Sequence, residues 1–139
     1  MHEKTLAASL IIALGIAATA ARAEDVPEVH TYGNVSYVSG GVGEEHAQAM
    51  EAVRRDYPLT ILFVREDKPK NAYLADIPVV IKDAKGKVVL EATSDGPFLY
   101  VKMPAGRYSV SATHEGDTRT AQVYVPLKGH KNMVFVWPR

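Results

Sequence analysis

The sequence predicts a mainly β domain, a seven-stranded antiparallel sandwich preceded by a short helical segment. Three observations lead to this prediction. The 139 residues include 47% apolar and 23% charged side chains, which is enough to form a substantial core. From Pro58 onward, short alternating apolar and polar runs are separated by turn signals at the spacing of a sandwich. One helical pattern precedes those runs, and the length fits a single domain.

The charge balance and the lack of cysteine exclude several classes of protein. Sixteen Lys and Arg residues balance sixteen Asp and Glu residues, so the chain lacks the excess of basic residues typical of nucleic-acid binders. We therefore expect no nucleic-acid partner. Without cysteine there is no disulfide, no thiol nucleophile, no cysteine-ligated zinc and no lipidated cysteine.

Residues 1–23 have the pattern of a signal peptide. Residues 6–18 are uncharged and almost entirely apolar, but this run is shorter than the roughly 20 residues that span a bilayer. Ala21-Arg22-Ala23 is a small-x-small cleavage pattern, and the polar Glu24 follows it. We predict cleavage before Glu24, a periplasmic or secreted mature chain, and no stable membrane span after cleavage. The alternative is an uncleaved anchor.

Residues 24–57 form a preamble to the β part. Residues 29–38 favour a strand interrupted at Gly33-Asn34, and the glycine-rich residues 39–43 predict a hinge. Residues 44–56 then predict a three-turn helix with acidic residues first and basic residues last. Its narrow apolar stripe consists of Ala47, Met50 and Val53. Because so short a helix is marginal alone, we expect the stripe to pack on the β part.

Residues 58–139 contain the seven predicted strands. Alternation and turns place them at residues 59–64, 77–82, 87–93, 98–103, 108–113, 121–125 and 133–137. Tyr108 enters the core two residues after Gly106, at the end of a turn. We expect its ring to be buried and its hydroxyl to bond a nearby backbone group, as in a tyrosine corner.

Four segments in this part carry a resemblance to a known family. They are ADIPVVIKD at 75–83, GKVV at 86–89, TSDGPF at 93–98 and MPAGRYSV at 103–110. In this order they resemble the carboxypeptidase regulatory-like domain family, over about residues 59–137. The preamble, with YVSGGVGEE at 37–45, resembles small secreted proteobacterial proteins of this type that lack an assigned activity. The resemblance implies a transthyretin-like (prealbumin-like) Greek-key β-sandwich, and it implies no particular activity.

No residue pattern in the chain predicts catalysis, cofactor binding or metal binding. The histidines after the predicted cleavage site lack the spacing of a metal motif: His30, His46, His114 and His130. Neither a nucleophile elbow nor a complete phosphate loop is present. One enzyme family with the transthyretin-like fold, hydroxyisourate hydrolase, ends in Tyr-Arg-Gly-Ser. Residues 134–139 read VFVWPR instead, so no catalytic residue is carried over.

The resulting prediction is a secreted, non-enzymatic module that binds a protein or carbohydrate partner or acts as an accessory protein. One alternative is an enzyme with an unrecognised site near the preamble and the end of the sandwich. The other is a carbohydrate-binding module, with Tyr100 and Tyr124 on the strand face opposite the core. The full set of candidate aromatic residues is Tyr32, Tyr37, Tyr73, Tyr100, Tyr124 and Trp137. A binding module should show an exposed apolar patch, and an enzyme should show a concave polar pocket.

Overall fold

The computed structural model describes residues 26–139, and the predicted signal peptide lies outside the described residues. Ten strands and one α-helix follow in chain order: β1 (His30–Tyr32), β2 (Val35–Gly40), α1 (Glu44–Val53), β3 (Leu59–Arg65), β4 (Ala72–Tyr73), β5 (Ile77–Asp83), β6 (Val88–Ser94), β7 (Phe98–Lys102), β8 (Gly106–His114), β9 (Asp117–Val125) and β10 (Lys131–Trp137). A 3-10 turn at Arg54–Asp56 extends α1. Within residues 26–139, no helix is long and apolar enough to cross a membrane.

The strands form two sheets around one main core, which confirms the mainly β prediction. The six-stranded sheet has the order β1-β2-β7-β3-β10, with β4 paired to β3, and the four-stranded sheet has the order β6-β5-β8-β9. Alternate side chains of each strand are buried because successive residues point to opposite faces of a sheet. The core includes Leu59, Ile61, Phe63, Val79, Ile81, Leu99, Tyr108, Val110, Phe135 and Trp137.

The expected set of seven antiparallel strands is wrong in two respects. Each predicted strand corresponds to β3 or one of β5–β10, but β1, β2 and β4 raise the number to ten. Moreover, β10 pairs with β3 in parallel, with Lys131 opposite Leu59 and Trp137 opposite Arg65. Alternation identifies which residues form strands, but it carries no information about which strands become neighbours.

The interrupted strand of the preamble is a hairpin that joins the larger sheet. The chain reverses at Gly33, whose φ of 56° lies in the left-handed region that favours glycine. As a result β1 pairs with β2, and β2 pairs with β7 from Ser36 opposite Lys102 to Gly40 opposite Phe98. The preamble therefore supplies two strands of the sandwich.

Helix α1 lies on the outer face of the six-stranded sheet. Met50, in the middle of its apolar stripe, is fully buried and packs with Val38, Tyr57 and Tyr100. These four residues form a small second core, separate from the main one. The contact that we expected between the helix stripe and the β part is therefore present.

The glycines before α1 allow a close approach between the chain and its neighbours. Gly41 has φ 100°, and its backbone N–H donates a hydrogen bond of 2.9 Å to Nδ1 of His46. A Cβ atom on Gly41 would overlap the ring of Phe98, and one on Gly96 would lie 2.5 Å from the carbonyl oxygen of Gly40. These contacts fix where the chain leaves β2 and where α1 begins.

Tyr108 has the environment expected of a tyrosine corner. Its ring is buried and its hydroxyl donates to the carbonyl oxygen of Pro104 over 2.7 Å, as predicted. Burial raises the pKa of the Tyr108 hydroxyl, and the nearby Asp83 carboxylate raises it further.

Candidate functional site

The first candidate site is an apolar surface on the outer face of the six-stranded sheet. Strand register places its members side by side: Leu62 is opposite Val134 and Phe98, and Val64 is opposite Val136 and Tyr73. We call these six residues the outer strip. Tyr73 is 68% exposed, Val134 57% and Val136 40%, so apolar area is open to solvent.

The next row of the same face is the one that α1 partly covers. In that row β10, β3, β7 and β2 contribute Asn132, Thr60, Tyr100 and Val38. Thr60 Oγ1 donates to Oδ1 of Asn132, while Tyr100 and Val38 lie beneath Met50. A pocket of about 130 Å³ lies at the boundary between this row and the outer strip. The helix thus covers one row of the face. In the outer strip Tyr73, Val134 and Val136 are exposed, whereas Val64 is 4% exposed and Phe98 packs half-buried against the second core.

The structure does not provide the pair of exposed aromatic residues that sugar stacking would use. Tyr100, expected on the outer surface, is 1% exposed because Met50 and Tyr57 pack over it. Burial raises its pKa, and the Glu51 carboxylate adds to that rise while Arg54 opposes it. Tyr124 is 59% exposed but belongs to β9 of the other sheet. The two tyrosines therefore cannot form one stacking surface.

The second candidate site is a cleft at one end of the sandwich. It is formed where β3 and β10 end and where β8 turns into β9, and it has a volume of about 350 Å³. We call it the end cleft, and its lining residues are Arg65, Asp67, His114, Glu115, Asp117, Trp137, Pro138 and Arg139. Mixed charges surround a buried indole ring at this site.

Trp137 is firmly held in the end cleft. Its indole Nε1–H donates to the carbonyl oxygen of Asp117 over 3.0 Å. Its ring stacks on Phe135 with 6.0 Å between ring centroids, and it makes an edge-to-face contact with the His114 ring at a centroid distance of 5.7 Å. One wall of the cleft is therefore continuous with the main core.

Arg65 and His114 have few polar contacts in the end cleft. Arg65 Nη2 lies 3.6 Å from Asp67 Oδ2, and His114 Nε2 lies 3.8 Å from Glu115 Oε1. Both distances exceed that of a hydrogen bond. Asp117, by contrast, forms a 2.9 Å ion pair with Arg119.

The remaining three candidate histidines lie in other parts of the molecule. His30 stacks on Tyr37, His46 accepts the Gly41 N–H, and Nδ1 of His130 lies 3.0 Å from the carbonyl oxygen of Tyr57. Within residues 26–139, no group of three or more His, Asp or Glu side chains is arranged to hold a metal ion.

The sequence contained an unused signal for the end cleft. Arg65 continues the inward-facing series of Ile61 and Phe63, and His114 continues the series of Val110 and Ala112. A charged or titratable residue at an inward position marks the point where a strand leaves the core. The signal was missed in the sequence because it is informative only once β3 and β8 are known to end at the same end of the sandwich.

No protein-family model matches this chain, and no curated protein matches it. The likeness to carboxypeptidase regulatory-like domains therefore rests on the residues quoted above.

Proposed function

We propose that the chain is an exported, non-enzymatic binding or accessory module with a transthyretin-like Greek-key sandwich, and that it docks a partner protein through the outer strip. The observation that carries the proposal is the group of exposed apolar side chains on β10 and β4, Val134, Val136 and Tyr73, which flank the half-buried Leu62 and the buried Val64 of β3 in register. Contiguous exposed apolar surface on a folded domain is typical of interaction sites.

The backbone beneath the outer strip is held in place by strand pairing, which supports a role in partner docking. β3 pairs with β10 on one side and with β7 and β4 on the other, so the central residues Leu62 and Val64 both have strand neighbours on two sides. A partner would then meet a preformed surface and would not have to order it on binding. Binding to a rigid surface loses less conformational entropy, which favours affinity.

An amphipathic helix of the partner is the occupant that fits the outer strip best. Helix α1 already lies on the adjoining row of the same face and buries Met50 there. The outer strip continues that surface with side chains of the same apolar type. An apolar stripe like that of α1 is therefore the complementary shape, in the manner of helix-in-groove recognition.

Site-specific photocrosslinking in the cells that make the protein tests the docking surface. A photoreactive residue at Val134 should give an adduct with one protein, and the crosslinked peptide should come from a helix. The matched control carries the same residue at Thr120, which is exposed on β9 of the other sheet. Equal adducts at both positions, an adduct with the chain itself, or no adduct at Val134 would contradict the proposal.

Export is the second part of the proposal and has its own measurement. The apolar residues 6–18 and the Ala21-Arg22-Ala23 site support cleavage before Glu24. The intact mass of protein recovered from the periplasm or the medium should be that of residues 24–139. A mass that retains residues 1–23 would indicate an anchored chain and a wrong localisation.

The geometry of the end cleft supports a second candidate function, that of an enzyme with its active site at the end of the sandwich. The cleft is concave, and Arg65, Asp67 and His114 line it together, as a catalytic site requires. Hydrolysis of model esters or amides by the mature chain, abolished by His114→Leu in a protein that remains folded, would support this candidate over the binding module.

A further inference from the structure

Two polar atoms of residues lining the end cleft have no hydrogen-bond partner in the described part of the chain. They are Nε of Arg65 and Nε2 of His114, and both are covered by protein. Buried polar atoms in folded proteins are nearly always paired, because an unpaired one has lost its hydrogen bonds to water. Two such atoms beside one cleft are donors whose hydrogen bonds an acceptor in the cleft would complete once the two side chains turn toward it.

The charges around the end cleft restrict that acceptor. Asp67 lies between two arginines, with Oδ2 at 3.6 Å from Arg65 and Oδ1 at 3.8 Å from Arg139. Glu115 and Asp117 also line the cleft, and Arg119 is already paired with Asp117 at 2.9 Å. The lining holds three carboxylates against two arginines, so a doubly charged anion such as phosphate is repelled about twice as strongly as a singly charged one, and a single negative charge beside Arg65 is the more favourable of the two.

We propose that the end cleft binds a small monocarboxylate, with Arg65 donating through Nε and Nη2 and His114 donating through Nε2. The two oxygens of a carboxylate match the planar fork of a guanidinium group. Both donor atoms are covered in this structure, so binding requires rotation of both side chains, of which Arg65 is 38% exposed and His114 18% exposed. A volume of about 350 Å³ is at the small end of ligand sites.

The framework of the end cleft is suited to this role. Trp137, 1% exposed, is held by its bond to the Asp117 carbonyl and by Phe135. His114 in turn rests against the Trp137 ring. The strands and Trp137 are therefore fixed by the core, and only the Arg65 guanidinium and the His114 ring have to reorient when the carboxylate binds. The end cleft contains no residue of the outer strip, so carboxylate binding is independent of partner docking.

Tryptophan fluorescence reads this site directly, because Trp137 is the one tryptophan of the chain. The mature chain, residues 24–139, is titrated with acetate, propionate and benzoate, and with phosphate and chloride at matched ionic strength. At least one carboxylate should give a saturable change that phosphate and chloride do not give. Arg65→Lys should weaken that binding at least about tenfold, since a charge-assisted hydrogen bond carries roughly this factor.

Three further variants make the result specific. Arg107→Lys is the matched control, because Arg107 is exposed at the start of β8 and does not line the cleft. It should leave binding unchanged. His114→Leu should abolish binding, while His114→Gln, which keeps an N–H donor, should restore part of it. Melting curves establish that each variant is folded.

The proposal is overturned by any of three results obtained with folded protein. The first is that no carboxylate gives a saturable change. The second is an equal response to phosphate or chloride, which would mean non-specific anion binding. The third is an Arg65→Lys variant that binds as tightly as the unaltered chain.

Discussion

The outer face of the six-stranded sheet has two halves that share strands but differ in what covers them. In one half, Tyr100 and Val38 are buried under Met50 of α1. In the other half, Val134 and Val136 extend from β10 into solvent. Both halves have the same strand alternation and similar apolar side chains. The difference shows that burial of Tyr100 and Val38 depends on α1, so deleting a side chain should cost more stability in the covered half than at the exposed Val134 and Val136.

Met50→Ala should give the largest stability loss of the substitutions that follow. Met50 is fully buried between α1 and the sheet, and deletion of such a side chain costs about 2–5 kcal/mol of unfolding free energy. Denaturant unfolding of the mature chain measures the loss. Gln48→Ala, at an exposed position of the same helix, is the control and should stay within about 0.5 kcal/mol. If the two variants unfold alike, α1 does not cover the sheet in solution.

Gly96→Ala should have the next largest effect, because it changes the approach to the covered half. The new Cβ would lie 2.5 Å from the Gly40 carbonyl oxygen, so backbone has to move at the junction of β2 and the segment before α1. Such overpacking costs about 1–3 kcal/mol. Gly86→Ala is the control for steric overlap, because a Cβ there meets no atom within 4 Å although its φ of 83° adds strain. A smaller loss for Gly96→Ala than for Gly86→Ala would contradict the close approach.

The pH dependence of stability should distinguish a covered tyrosine from an exposed one. Burial under α1 raises the pKa of Tyr100 above the ordinary value of 10.0. The folded chain then holds this proton more tightly than the unfolded chain does. Its contribution is fully present below pH 10 and is lost as the pH rises through the raised pKa. Denaturant melts at a series of pH values around 10 should show a shallower decline for Tyr100→Phe than for the unaltered chain.

Tyr57 and Tyr108 share the same direction of pKa shift, so Tyr100→Phe should remove only part of the alkaline decline. Tyr124→Phe, at an exposed position on β9, is the matched control. If Tyr124→Phe makes the alkaline decline in stability as shallow as Tyr100→Phe does, Tyr100 is not covered.

Val134→Ser should have the smallest effect on stability and the largest on docking. Val134 is 57% exposed in the uncovered half, so its replacement should change the unfolding free energy by no more than about 0.5 kcal/mol. The same substitution should weaken crosslinking from a photoreactive residue at Val136. A stability loss comparable to that of Met50→Ala would show that the outer strip is covered within the chain.

The sequence predicted local structure well, because alternation and turn chemistry act over a few residues. The Tyr108 hydroxyl bond to Pro104 spans four residues and was expected. Alternation also placed Tyr100 on the face opposite the main core, but it could not show that Met50 would lie above it. That contact joins residues fifty positions apart and depends on the path of the chain through Gly40 and Gly41.

The end cleft could not be predicted for a related reason. Arg65, His114 and Trp137 lie on three strands, and their meeting depends on the parallel pairing of β3 with β10. No local pattern encodes that pairing. The family resemblance carried fold information only, since the segments that support it are turns and core positions.

The parallel pair of β3 and β10 also has a consequence for the order of folding. The side-chain bond between Thr60 and Asn132 spans 72 residues, and closing a loop of that length is slow. Until β10 is in place, β3 (Leu59–Arg65) has strand neighbours, β7 and β4, on one side only, and the backbone N–H and C=O groups of its other edge are unpaired. An incomplete chain is therefore most prone to aggregate along this edge, and the final strand both completes the sheet and protects it.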